Sequence, residues 1–260
     1  MSFGETVLLG AIAGITIFLG LPIARLDNPS RPWQAFLNAL ATGVLLFLLW
    51  DILTKASEPI NTALDGARTG AVTDFFALAG VFVAGFGVGL LGLVYFERSF
   101  TRGAKTRAEV SPAHLSLMIA GGIGVHNFAE GLAIGQASVS GAATLATLLI
   151  IGFGLHNLTE GFGIAAPLTA GARPTWAFLG LAGLIGGGPT FVGTVVGYSV
   201  QTVPVFVFCL ALAAGSILYV VAELLHVGRR FALRELGMWG IFVGYLAGYG
   251  TDLVLSWAGV

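Results

Sequence analysis

Two short segments carry most of the chemistry this chain can offer. One reads His126-Asn127-Phe128-Ala129-Glu130-Gly131 and the other His156-Asn157-Leu158-Thr159-Glu160-Gly161, the same H-N-x-x-E-G pattern thirty residues apart. On a helix, His and Glu at i and i+4 share one face, one turn apart. An imidazole and a carboxylate so placed can share one divalent cation, and two such helices face to face supply two of each. That set suits zinc, whose nitrogen and oxygen ligands stand at about 2.0–2.2 Å. It also admits iron, manganese, cobalt, nickel or cadmium, so the ligand types leave the metal open. Asn127 and Asn157 either add amide oxygens or orient the ligands from behind, and Gly131 and Gly161 leave space beside the carboxylates.

The competing reading is structural, with each His bonded to its own Glu between packed helices. For one motif the two readings are evenly matched. A second copy at matching depth favours the metal, because a cation compensates two buried carboxylates and residues 112–168 contain no Lys or Arg to do so.

These motifs need elements to hold them. Of 260 residues, 56% are hydrophobic, 10% charged and 39 are glycine; a soluble domain carries about 25% charged residues. A disordered chain is excluded, and an ordinary soluble globule does not fit. Glycine at this level suits closely packed membrane helices. The single cysteine, Cys209, excludes a disulfide framework or a cysteine-based zinc site. A net charge of −1 argues against a nucleic-acid partner.

A membrane-spanning helix needs about 20 mostly apolar residues. Eight stretches qualify, at approximately 5–23, 33–53, 74–96, 112–137, 141–168, 175–199, 203–226 and 236–258, in one domain covering 1–260. None alternates as barrel strands do. The first lacks a basic leader, since residues 1–5 hold no Lys or Arg, and is read as a span. His126 and His156 then fall near the bilayer centre, where an ionisable residue is a functional candidate by default. The fourth and fifth spans are expected to be antiparallel neighbours joined by a turn near 138–141.

Taking alternate loops, one side holds Arg25, Arg31, Arg98, Arg102, Lys105, Arg107, Arg173, Arg229, Arg230 and Arg234; the other holds only Lys55 and Arg68. The basic side is expected to be cytoplasmic, which puts both termini outside the cytoplasm and the protein in the cell membrane as a multi-pass chain.

The two motifs and the eight-span pattern resemble the ZIP family of divalent-metal transporters. The resemblance extends to Ala182-Gly183-Leu184 and Gly188-Pro189-Thr190-Phe191-Val192-Gly193 in span six, and to Ala214-Gly215-Ser216-Ile217-Leu218-Tyr219 with Glu223 in span seven. It implies an all-α membrane fold in a 3+2+3 arrangement, spans 1–3 and 6–8 forming inverted repeats around spans four and five. It implies that His126, Asn127, Glu130, His156, Asn157 and Glu160 line the transport site, and that zinc or a similar cation passes toward the cytoplasm. The family often places Pro before the motif Glu, where this chain has Ala129 and Thr159. Without those prolines both helices should be straighter. Many members also carry a Glu at the position of Gly188, so one main metal is expected here rather than a binuclear pair.

Toward the ends of a pathway, Asp51 and Asp252 are candidate entrance residues that would attract cations; interfacial residues or caps are the alternative. His114, Glu223 and His226 are candidates for a cytoplasmic exit. Asn38 reads as an interhelical hydrogen bond, and Gly240, Gly244 and Gly248 as a close-packing stripe inside the molecule. No G-x-x-x-x-G-K-[ST] loop is present, which argues against ATP hydrolysis by this chain. No organic cofactor is expected; the divalent metal is substrate. The expected partners are divalent cations and membrane lipid, with a homodimer left open. The main rival is a membrane-embedded metal-dependent hydrolase, which would need an open metal position and a general base beyond the ligands; none is evident. A non-transporting sensor should carry a signalling domain or tail, and neither stands out.

Overall fold

The computed structural model describes residues 1–26, 30–68, 70–100, 111–139, 157–158, 160–170 and 173–257. They are helical almost throughout, with no strand among them. Segment α1 is Phe3–Arg25, an α-helix to Ile15, a single turn Ile17–Gly20 and a 3-10 turn Leu21–Arg25. Then come α2 (Arg31–Ala67), α3 (Val72–Phe100) and α4 (Pro112–Val139). Described helical residues 157–158 and 160–165 form α5, continued by a 3-10 turn Ala166–Ala170. The last three are α6 (Trp176–Ser199), α7 (Val203–Arg230) and α8 (Arg234–Trp257). Ser2, Ser30 and Thr175 cap α1, α2 and α6, each side chain accepting from a backbone N–H three residues on.

Among the described residues six helices are long and apolar enough to cross a membrane: α1, α2, α3, α4, α6 and α7. The architecture is that of a multi-pass membrane protein. Helix α8 has the length, 24 residues, but five glycines within 237–250, with Thr251 and Asp252, dilute its apolarity. Most of the expected fifth span lies outside the described residues.

One boundary differs from expectation. The second span was expected to end at 53, with a loop from 54 to 73. Instead α2 continues unbroken through Pro59 to Ala67, 37 residues in all. At about 1.5 Å per residue that is about 55 Å, well beyond a hydrocarbon core of about 30 Å. Glu58-Pro59 reads as a stop in sequence. Proline removes one backbone donor, but Ala56, Ala63, Leu64 and Ala67 around it are strong helix formers. The distal turns carry polar, exposed residues such as Asp65 and Arg68, which pair at 3.0 Å.

Contacts fix the relative directions of the helices. Asn127 bonds the Gly186 carbonyl, Gly131 abuts Thr190 and Gly135 abuts Thr194, always at the offset of 59. Constant offset means that α4 and α6 run parallel. Asn157 bonds the Ala13 carbonyl and Gly161 abuts Ile17, both at an offset of 144, so α5 runs parallel to α1. Between α1 and α6 the order reverses: Gly10 meets Thr194, Gly14 meets Gly187 and Phe18 meets Gly183. Helices α4 and α5 are therefore antiparallel, as their sequence order suggests.

The bundle divides into two packed groups. One joins α4 to α6 and α6 to α1; the other joins α2 to α8 and α7, and α3 to α7. Packing of α4 on α7 links them. The stripe Gly240, Gly244 and Gly248 lies inside the second group, against Ala39, the Leu40 carbonyl and the Phe47 ring of α2. Asn38, buried on α2, donates to the Leu224 carbonyl of α7 at 2.9 Å, the interhelical bond its position suggests.

Basic residues gather at one end. Arg173 donates twice to the Arg25 carbonyl, at 2.7 and 3.1 Å. The Arg25 guanidinium lies 4.7 Å from the Trp176 ring centre and donates to the Pro174 carbonyl. Arg31 donates to the Arg230 carbonyl at 3.0 Å. The end of α1 therefore meets the start of α6, and the start of α2 meets the end of α7. At the opposite end Phe3 packs edge-on against Tyr198. Large apolar side chains face outward along α3 and α8, among them Phe76, Val83, Phe242 and Val254, which suits lipid surroundings.

Candidate metal centre

His126, Asn127 and Glu130 sit midway along α4, with Asn157 and Glu160 opposite them on α5, and all five are buried. Helix α4 runs unbroken past Ala129, as the missing proline suggests. Around them lie Ile123, Ala129, Leu132 and Ile164, each at most 1% exposed. His156 lies outside the described residues.

The centre begins with one imidazole between two carboxylates. His126 Nε2 is 2.9 Å from Glu130 Oε1 on its own helix and 3.5 Å from Glu160 Oε1 on α5. His126 and Glu130 thus share one helix face as their spacing predicts, in the direct contact that the structural reading expected, and the two helices bring their carboxylates to the same nitrogen. Among the described residues the charged groups in contact with His126 are the carboxylates of Glu130 and Glu160. One imidazole stands, among the described residues, between these two buried carboxylates, and buried charge is costly unless it is compensated.

Asn127 fixes one side of it. Its Nδ2 donates to Glu160 Oε2 and to the Gly186 carbonyl, both at 3.0 Å. One side chain therefore ties α4 to α5 and α6, and it turns Glu160 Oε1 toward His126. Asn157 reaches the other way, its Nδ2 donating to the Ala13 carbonyl of α1 at 2.9 Å. The Oδ1 atoms of Asn127 and Asn157 are buried and accept no hydrogen bond among the described residues. Buried acceptors without donors suit a cation.

The motif glycines do not serve as space beside the carboxylates. A Cβ on Gly131 would strike the Thr190 carbonyl of α6, and one on Gly161 the Ile17 carbonyl of α1. Their role is close approach of a flanking helix. Each motif thus follows one rule: its Asn bonds a carbonyl of the neighbouring helix, and its Gly, one turn on, seats against the next turn. Sequence reasoning did not find those partners, Gly186 and Thr190 on α6, Ala13 and Ile17 on α1. The small residues of both helices were the available signal.

Ligand geometry can be compared with a metal shell. Two ligands about 2.0–2.2 Å from a tetrahedral ion stand about 3.3–3.6 Å apart. The separation from His126 to Glu160 is already in that range, and that to Glu130 is a few tenths of an ångström short. Among the described residues no group of three or more His, Cys, Asp or Glu surrounds an ion position. Opening the contact to Glu130 slightly would turn these contacts into edges of a coordination polyhedron. Gly188, whose lack of a carboxylate is the reason one main metal is expected, lines an apolar groove with Phe18, Phe128 and Phe191.

The outlying candidates fall in two places. Asp51 on α2 is held by Lys55 at 2.8 Å, and Asp51 and Lys55 both act electrostatically on Asp252 of α8. The two expected entrance residues thus lie within electrostatic reach of each other, and Lys55, which the sequence offers only as an outer-side charge, acts on both. On α7, Glu223 is buried, whereas His226 is exposed with Nε2 3.2 Å from Arg230. His114 is half-buried at the start of α4. Glu223 and His226, three residues apart, therefore occupy different environments.

No protein-family model and no curated protein matches this chain.

Proposed function

We propose that this protein carries divalent metal cations, zinc foremost, across the cell membrane toward the cytoplasm, as a ZIP-like transporter. The observation that carries the proposal is the convergence of Glu130 and Glu160, from antiparallel helices, on His126 inside a bundle built to cross a membrane. His126, Glu130 and Glu160 bind the ion, and His156 is assigned as the fourth ligand by the repeated motif. Asn127 holds Glu160 in place through its Nδ2, and the buried amide oxygens of Asn127 and Asn157 accept no hydrogen bond among the described residues. One main ion is bound at a time. Binding replaces the direct contacts of Nε2 with metal–ligand bonds, so little movement is needed to load the site.

The direction rests on charge: ten Lys and Arg against two mark the cytoplasmic side. Several of the ten cluster at one bundle end, around Arg25, Arg31, Arg173 and Arg230. The termini are then outside. The 3+2+3 repeat arrangement belongs to this proposal and is supported by the matched docking of α4 on α6 and α5 on α1.

The test is zinc flux into sealed proteoliposomes, wild type beside His126→Ala/His156→Ala, with iron, manganese and cadmium as competitors. Flux in the wild type that disappears in the variant is the expected outcome. A folded wild type that binds zinc without moving it would overturn transport and favour a metal-dependent hydrolase, to be pursued with lipid and peptide substrates in detergent.

A further inference from the structure

At the basic end of the bundle a cavity of about 410 Å³ opens between α2, α7 and α8. Its walls are mainly apolar: Ala35 and Ala39 from α2, Leu224 and Leu225 from α7, Met238 and Ile241 from α8. Two arginines flank it at the turn between α7 and α8, Arg229 and Arg234. Both are exposed, and neither forms an ion pair among the described residues. In that turn Ala232, which also lines the cavity, has φ 56°, a left-handed conformation unusual for a residue with a Cβ. Asn38 also lines the cavity; it is 1% exposed, and its Oδ1 accepts no hydrogen bond among the described residues.

An apolar slot ending in two unpaired guanidinium groups complements a molecule with the opposite layout, an anionic head on an apolar tail. The position agrees, because the arginines mark where helices end and the apolar walls continue into the membrane-crossing parts of α2 and α7. Guanidinium groups bind phosphate oxygens with two parallel hydrogen bonds. A free phosphate would use the arginines and leave the apolar walls in contact with nothing. We propose that this cavity is a binding site for one anionic phospholipid, its phosphate on Arg229 and Arg234 and an acyl chain along Ala39, Leu225, Met238 and Ile241. The lipid would bridge α2, α7 and α8, all in the group of helices that does not carry the metal ligands.

Native mass spectrometry of the detergent-solubilised full chain reads this directly. Dioleoyl phosphatidylglycerol is titrated against dioleoyl phosphatidylcholine. The expected result is one retained phosphatidylglycerol per chain, in preference to phosphatidylcholine. Each of Arg229→Gln and Arg234→Gln should lower the retained fraction roughly fivefold, the effect of about one basic residue at an anionic surface. Gly237→Phe separates a built site from surface charge. Gly237 lines the cavity and a Cβ there would meet nothing within 4 Å, so the substitution adds bulk at the cavity wall and keeps both arginines, with helicity by circular dichroism checking the fold. It should abolish retention. Retention by Gly237→Phe equal to wild type would overturn the proposal, leaving only charge attraction. So would equal retention of both lipids, or full displacement of phosphatidylglycerol by millimolar inorganic phosphate.

Discussion

Asn127 and Glu160 meet across the interface of two antiparallel helices, the Nδ2 of one donating to Oε2 of the other at 3.0 Å. The same Nδ2 also reaches the Gly186 carbonyl. The amide thus decides which carboxylate oxygen is left to face His126. Groups that orient metal ligands typically account for 10–100-fold in affinity. Asn127→Ala should therefore weaken zinc binding by about that factor while the protein remains folded and flux stays measurable at high zinc. Isothermal titration in detergent with competing chelator checks it; affinity unchanged in Asn127→Ala would remove this residue from the site.

The two carboxylates are expected to behave as a unit. Glu130→Gln and Glu160→Gln keep shape and hydrogen bonding but remove the charge that holds a divalent ion. Each alone should reduce zinc flux below detection in proteoliposomes, with helicity by circular dichroism unchanged. Normal flux in both single variants would mean that the His126 contacts are structural. The difference from Asn127→Ala is diagnostic: loss of a ligand ends transport, whereas loss of an orienting group shifts its concentration dependence.

Much of this was legible in the sequence, and the gaps have physical reasons. Six of the eight expected spans match described helices to within about four residues at each end, since long apolar runs with polar ends leave little freedom. The end of α2 was missed because Glu58-Pro59 looks like a stop, although one lost backbone bond does not outweigh strong helix formers on both sides. The His126–Glu130 pair follows from spacing alone. The approach of Glu160 to the same nitrogen required knowing how α4 faces α5, which no local pattern encodes. Gly131 and Gly161 suggest space beside the carboxylates, because a sequence shows small residues without showing what lies against them.

Those glycines give a stability prediction. Gly131→Ala drives a methyl into the Thr190 carbonyl, a backbone atom that cannot rotate away. Overpacking of this kind destabilises by about 1–3 kcal/mol, and Gly161→Ala, against Ile17, should do the same. Gly121→Ala on the same helix is the control, because its Cβ would meet nothing within 4 Å; it should be neutral or stabilising by up to about 1 kcal/mol through helix propensity. Thermal unfolding in detergent ranks the three. Equal melting temperatures for Gly121→Ala and Gly131→Ala would contradict the close approach of α4 and α6.

At the other end of the path, Lys55 holds Asp51 at 2.8 Å while both act on Asp252. If Asp51 and Asp252 collect cations at an entrance, Lys55 opposes them, since it neutralises one carboxylate and repels the incoming ion. Lys55→Ala should then lower the zinc KM, and Asp51→Asn/Asp252→Asn should raise it, with kcat nearly constant in both because the central ligands are untouched. The effects depend on the field of charges open to solvent at least in part, which screens over about 10 Å at 0.1 M salt. Both shifts in KM should therefore shrink as ionic strength rises from about 0.01 M, where the screening length is about 30 Å, to about 1 M, where it is about 3 Å. Initial-rate flux across that salt series is the measurement. A KM that ignores Lys55→Ala at low salt would place the entrance elsewhere, and one that shifts equally at all salt concentrations would mean that Lys55 acts through packing of α2 rather than through its charge.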